Sequence, residues 1–172
     1  TMEYGFQDID NGGTGTVSTM NDGYQNISSC GAGTINTMNG GNQYIAGSGI
    51  IDVMSNGTQW ISSGGAGTVS TMNGGNQNIS GGGTGIISIM ERGEQHISAG
   101  GKGIISAMDL YYGKQYISSG GTGTVGTMNN GGSQVIYSGG TGTINYVSTN
   151  QLGKQIISGG TGVILSLIHI SE

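Results

Sequence analysis

Enzymatic and metal chemistry draws on carboxylates, imidazoles and thiols, and the 172-residue sequence holds nine Asp and Glu, two His and one Cys. Glycoside cleavage needs clustered carboxylates flanking the bond. Asp8, Asp10, Asp22, Asp52, Glu91, Glu94 and Asp109 are scattered, and Asp8 and Asp10, the one close pair, read as a solvated strand surface. A Ser-His-acid arrangement has a single candidate base, His96, because His169 lies in an atypical tail; an exposed strand histidine accounts for it without catalysis. Cys30 occupies a place that is glycine at Gly64, Gly82, Gly100 and Gly120, so it reads as a turn residue, and a lone thiol cannot staple the chain internally. Eight methionines share one register, Met2, Met20, Met38, Met54, Met72, Met90, Met108 and Met128, with Val147 next. A metal or redox role would need thiolate or imidazole company, so core packing is expected. No catalytic, metal or cofactor residue is assigned, and the chain is not expected to be an enzyme.

These side chains are carried by a short unit copied head to tail. Gly-x-Gln-x-Ile occurs nine times, with glutamines at Gln7, Gln25, Gln43, Gln59, Gln77, Gln95, Gln115, Gln134 and Gln155, at steps of 18, 18, 16, 18, 18, 20, 19 and 21 residues. A period this short predicts stacking, because one unit cannot bury its own apolar side. Within Gly23 to Gly41, Gln25 and Ile27 alternate with Asn26 and Ser28, and Thr34-Ile35-Asn36-Thr37 forms a second β-prone run, each closed by glycine. The reading is two short strands and two glycine corners per copy. The fold class expected is all-β, a parallel β-helix (β-solenoid) of about nine coils of roughly 18–20 residues, forming a rod on the order of 43 Å long at the parallel-strand spacing.

The inward positions follow from what stays apolar. Ile9, Ile27, Ile45, Ile61, Ile79, Ile97, Ile117, Ile136 and Ile157 form one ladder; Val17, Ile35, Ile51, Val69, Ile87, Ile105, Val125, Ile144 and Ile164 form another. Strict alternation from Ile35 would turn Met38 outward, so a buried Met38 requires a backbone bend nearby. The glutamine shares a face with the Ile two residues on, and stacked amides can hydrogen-bond from coil to coil. Two residues are missing at Ala46-Gly47-Ser48-Gly49. Extra residues at Asp109–Tyr112, Asn129–Gly131 and Ser148–Leu152 lengthen one corner, which predicts bulges along one edge and no inserted domain.

Outward positions vary from copy to copy. Between Gln and Ile come Asp8, Asn26, Tyr44, Trp60, Asn78, His96, Tyr116, Val135 and Ile156, and two residues earlier Phe6 and Tyr24. Tyr44 and Trp60 are expected to stack on adjacent coils. Tyr24, Tyr44, Trp60, His96 and Tyr116 are the candidate adhesive or glycan-contact face. Gly-Gly-Thr-Gly-Thr-Val is similar to the calcium-binding nonapeptide, but Val17, Ile35, Val69, Ile87, Ile105, Val125 and Ile144 stand where that motif needs Asp, so no cation is expected. A threonine array suited to ice is broken at Thr84-Gly85-Ile86 and Lys102-Gly103-Ile104.

With 39 glycines, no proline and a formal net charge of -5, the chain lacks a basic patch for nucleic acid. It also lacks a run of about 18 apolar residues, so no membrane insertion by this segment is expected. It opens at Thr1 inside a repeat without a leader, which suggests that processing or truncation removed what came before, and open sheet edges at both ends predict aggregation.

The unit Gly75-x-Gln77-x-Ile79-Ser80-x-Gly82-Gly83-Thr84-Gly85, with its return through Asn73-Gly74-Gly75, resembles the AIDA-type repeat of self-associating autotransporter adhesins over nearly all of residues 1–164. It departs in favouring Met before the return and in carrying Gly85-like residues where the family often has Ala. The resemblance implies a right-handed parallel β-helix and a passenger stalk, displayed on the bacterial cell surface outside the outer membrane or secreted, that mediates adhesion, autoaggregation and biofilm formation. Its implied partners are the same type of passenger on neighbouring cells, or a host surface receptor or glycan. It further implies that Ser28, Ser62, Ser80, Ser98, Ser118 and Ser158 are candidate O-glycan acceptors. A glycan-binding solenoid module, or a non-catalytic fragment of a larger β-helix enzyme, is the alternative. Residues 165–172, Leu165 to Glu172, break the repeat and resemble a translated sequencing adapter, so they are expected to be non-native.

Overall fold

The computed structural model describes residues 1–148 and 153–166, with Leu110 and Tyr111 defined by their backbone alone. Sixteen strands and no helix are present among the described residues. Every pairing between these strands is parallel, and each strand pairs with its equivalents one repeat before and after. The expected β-solenoid of about nine coils is therefore the observed fold.

Each coil has two walls. The glutamine wall is built from Gly5–Ile9, Gly23–Ile27, Asn42–Ile45, Thr58–Ile61, Asn76–Ile79, the second halves of Thr84–Ile97 and Lys102–Ile117, and then Ser133–Tyr137 and Lys154–Ser158. The methionine wall runs from Thr14–Met20 through Ala32–Met38, Ser48–Met54 and Ala66–Met72, continues in the first halves of the two long strands, and ends with Thr122–Met128, Thr141–Val147 and Thr161–Ile164. Pairing is in register by motif: Gln43 meets Gln59, Ile45 meets Ile61, Ile51 meets Val69 and Met54 meets Met72.

The glutamines form a continuous amide ladder. Each Nε2 donates to the Oε1 of the preceding coil's glutamine, at 2.6–2.8 Å from Gln25→Gln7 to Gln155→Gln134. From Gln25 to Gln134 the residues are fully buried. In the later coils the same Nε2 also points at a carbonyl of the opposite wall, as in Gln95 to Gly85 at 3.4 Å and Gln134 to Thr143 at 3.3 Å. A buried amide with unmet groups costs about 1–3 kcal/mol per group, which the ladder avoids at every coil. No buried side-chain nitrogen or oxygen lacks a partner among the described residues.

Two apolar columns flank this ladder. The Ile9-to-Ile136 column forms one cluster, and Val17 to Val147 together with the methionines forms the other. Met20 through Met128 are buried, so the bend inferred after Ile35 exists. Burial along Ala32–Met38 falls at Gly33, Ile35 and Met38, and the pairing passes from Ile35↔Ile51 directly to Thr37↔Val53.

The glycines correct one expectation. Glycine is expected at the corners, and the glycines preceding Gln do turn there, with φ of 83° at Gly75 and 101° at Gly93. Another set, Gly33, Gly49, Gly67, Gly85, Gly103, Gly123 and Gly142, lies buried within the methionine-wall strands. A Cβ at Gly85 would sit 2.4 Å from Ile79 Cδ1 and 2.6 Å from Gln77 Oε1. The column is glycine because the glutamine amide and the isoleucine tip of the facing wall fill the space a side chain would take.

Irregular coils behave as their lengths require. The two-residue deletion shortens the corner after Ile45, while Ala32 still pairs with Ser48. The extra residues after Met108 are taken up as a register shift: Met90 pairs with Met108, then Arg92 with Tyr112. Residues 149–152 of the last lengthened corner lie outside the described residues, as do residues 167–172 of the expected adapter. Leu165 N still donates to Ile144 O at 2.9 Å.

Candidate functional site

Strand alternation sends the residues on either side of each Gln and Ile outward, so the glutamine wall presents three parallel outer rows. The central row runs Asp8, Asn26, Tyr44, Trp60, Asn78, His96, Tyr116, Val135, Ile156, each paired with the next. Before it lie Phe6, Tyr24, Asn42, Thr58, Asn76, Glu94, Lys114, Ser133, itself buried, and Lys154. After it come the residues that follow Ile: Asp10, Ser28, Ala46, Ser62, Ser80, Ser98, Ser118, Tyr137 and Ser158.

The five residues expected to form one face share this wall but fall into two groups separated by Asn78. In the first, Tyr24 stacks on Phe6 with centroids 5.6 Å apart, and Tyr44 lies beside Trp60 in register. The stack expected of Tyr44 and Trp60 is absent from the stacked ring pairs among the described residues. The Trp60 indole N–H instead turns to Asn42 Oδ1 at 3.3 Å, because a buried-wall strand fixes both Cβ atoms and the polar edge finds a partner in the neighbouring row. Tyr44 and Trp60 remain 43% and 44% exposed, leaving apolar surface available for contact.

In the second group His96 and Tyr116 stack at 4.9 Å, and Tyr116 and Tyr137 at 6.5 Å, with planes within 15°. Glu94 ties the edge together: His96 Nε2 lies 2.9 Å from its Oε2 and Lys114 Nζ 3.5 Å from its Oε1. Tyr116, ahead of the Glu94 carboxylate, holds the Lys114 ammonium above the ordinary lysine pKa, so the group is charged at neutral pH. Among the described residues the side-chain hydrogen-bond partner of His96 is Glu94.

Two depressions adjoin this cluster. One, of about 550 Å³, is lined by Glu94, His96, Ser98, Tyr116, Ser118 and Tyr137. The other, of about 440 Å³, lies between Lys114, Tyr116, Ser133, Val135, Lys154 and Ile156. Tyr137 was not foreseen, because its row is serine in most coils and one aromatic residue in a column carries no periodic signal. Of the candidate acceptors, Ser28, Ser62 and Ser158 are exposed, and Ser80, Ser98 and Ser118 are partly covered. No group of three His, Cys, Asp or Glu suited to a metal occurs among the described residues.

No family model matches the sequence, and no curated protein is found similar to it. Among solved structures the chain is similar to the TibC-catalyzed hyper-glycosylated TibA55-350 fragment, with 26% identity and a TM-score of 0.47, over 95% of this chain and 79% of that one.

Proposed function

We propose that the chain is a stretch of adhesive stalk displayed on a bacterial surface, outside the outer membrane or released from it, mediating cell adhesion, autoaggregation and biofilm formation. The observation that supports this reading is the division of labour on the glutamine wall. Inward positions repeat from coil to coil, whereas the outward row keeps its spacing and changes its chemistry. A rigid rod with outward side chains at each coil offers many weak contacts at once, so avidity replaces the affinity of a single pocket. The partners are the same type of passenger on a neighbouring cell, or a host receptor or glycan, met through Tyr24, Tyr44, Trp60, His96 and Tyr116. The sequence resemblance to AIDA-type repeats points the same way. Ser28, Ser62, Ser80, Ser98, Ser118 and Ser158 are proposed O-glycan acceptors on the row beside this face. Settling of cells that display the chain on a translocating barrel tests the reading. Faster settling than cells displaying the barrel alone is expected, and equal settling in suspension together with equal attachment to host cells overturns it.

A further inference from the structure

The four cations of the chain, Arg92, Lys102, Lys114 and Lys154, all lie after residue 91, while every charged side chain before Arg92 is acidic. Two of the four occupy one outer row: Lys114 pairs with Ser133, and Ser133 with Lys154, which sets the lysines two coils apart at roughly 10 Å by parallel-strand spacing. Lys114 is shared with Glu94, but no carboxylate lies within 4.0 Å of Lys154 among the described residues. In an acidic chain, two lysines flanking one depression are a local reversal of charge.

The floor of that depression is apolar. Along the central row the aromatic pair His96 and Tyr116 gives way to Val135 and Ile156, so the chain steps down from ring to aliphatic surface at Tyr116. In the adjacent row the order is reversed: Ser98 and Ser118 come first, and Tyr137 follows in the next coil, closing the end of the polar depression. Tyr116 borders both hollows, one edged by lysine and floored by Val135 and Ile156, the other edged by Glu94, Ser98 and Ser118.

We propose that these two depressions together form a binding site for a carboxylate-bearing oligosaccharide. The C–H face of a pyranose packs on Val135 and Ile156 against Tyr116, and its carboxylate accepts hydrogen bonds from Lys154 and Lys114. A neighbouring sugar ring lies against Tyr137, its hydroxyls meeting Ser98, Ser118 and the Glu94 carboxylate. Stacked rings beside fixed polar edges suit a ligand that is apolar on its ring faces and polar at its rim. Two lysines select the charged sugar over a neutral one. The site deepens the adhesive reading and rests on it, since it names a ligand class for one segment of the proposed face.

Titration calorimetry on the whole chain tests the site with two matched pairs: trigalacturonate against its methyl ester, and 3′-sialyllactose against lactose. At least one acidic probe is expected to bind, and its neutral counterpart to bind about tenfold more weakly, the effect of losing one charge-assisted hydrogen bond. Lys154→Ala should reproduce that loss with β-sheet circular dichroism unchanged, and Tyr116→Ala should abolish binding. Asn26→Ala, on the same row outside the site, should leave binding intact. Absence of binding by both acidic probes, equal binding of the neutral probes, or an unaffected Lys154→Ala variant overturns the proposal. The same Lys154→Ala chain displayed on cells separates the two readings. Persistent clumping with no acidic-probe binding by the parent chain removes the site and leaves the adhesive role, whereas sugar binding without clumping or attachment does the reverse.

Discussion

The inner and outer faces of the glutamine wall are made from alternate residues of the same strands, yet they obey opposite rules. Inside, each side chain is its own neighbour: Gln95 bonds to Gln77 and Gln115, and Ile97 packs in a column of isoleucines. A change in one coil therefore leaves two others without a partner. Outside, Asn78 separates Trp60 from His96 with no consequence for pairing, which stays in register through all three. Identity is demanded where stacking buries a residue and released where it does not. That contrast places constancy in the fold and leaves variation to the outer surface.

The contrast can be broken most severely from within. Gly85→Leu should cost about 4 kcal/mol, combining overpacking with the displacement of the Gln77 amide from its ladder, and chemical denaturation should register it as a lower midpoint. A near-normal midpoint would mean that the inward glycine column is incidental. Met90→Ala should cost about 3 kcal/mol through the cavity left in the methionine column, again read from the denaturation midpoint. Gln95→Leu removes the donor to Gln77 and the acceptor of Gln115, for about 2 kcal/mol after the gain from burying an apolar side chain of similar size. Hydrogen exchange in the flanking coils should rise with it, since the ladder links them. Outer-row changes sharpen the same comparison by their smallness: Asn78→Ser or Tyr44→Ser should move stability by no more than about 0.5 kcal/mol.

The columns of Ile, Met and Gln were legible in the sequence because a stacked fold turns three-dimensional neighbours into a sequence period. The bend before Met38 was legible too, since alternation alone could not bury both Ile35 and Met38. The inward role of the Gly33-to-Gly142 column was not legible, because glycine signals a turn by default. Its real cause is the Gln and Ile of the facing wall, a contact across the interior that no local pattern encodes. The candidate face was only partly legible. Register placed Tyr44, Trp60, His96 and Tyr116 in one row, but ring orientation depends on partners such as Asn42, and Tyr137 is the one aromatic residue in a mostly serine column.

Settling of displaying cells that carry Tyr44→Ser, Trp60→Ser, His96→Ser and Tyr116→Ser together, measured beside the β-sheet circular dichroism and denaturation midpoint of the purified variant, tests the separation of fold from recognition most directly. The account predicts that clumping is lost while the circular dichroism is retained and the midpoint barely moves. Undiminished clumping, or a collapse of β-structure on changing these four outward residues, would contradict it.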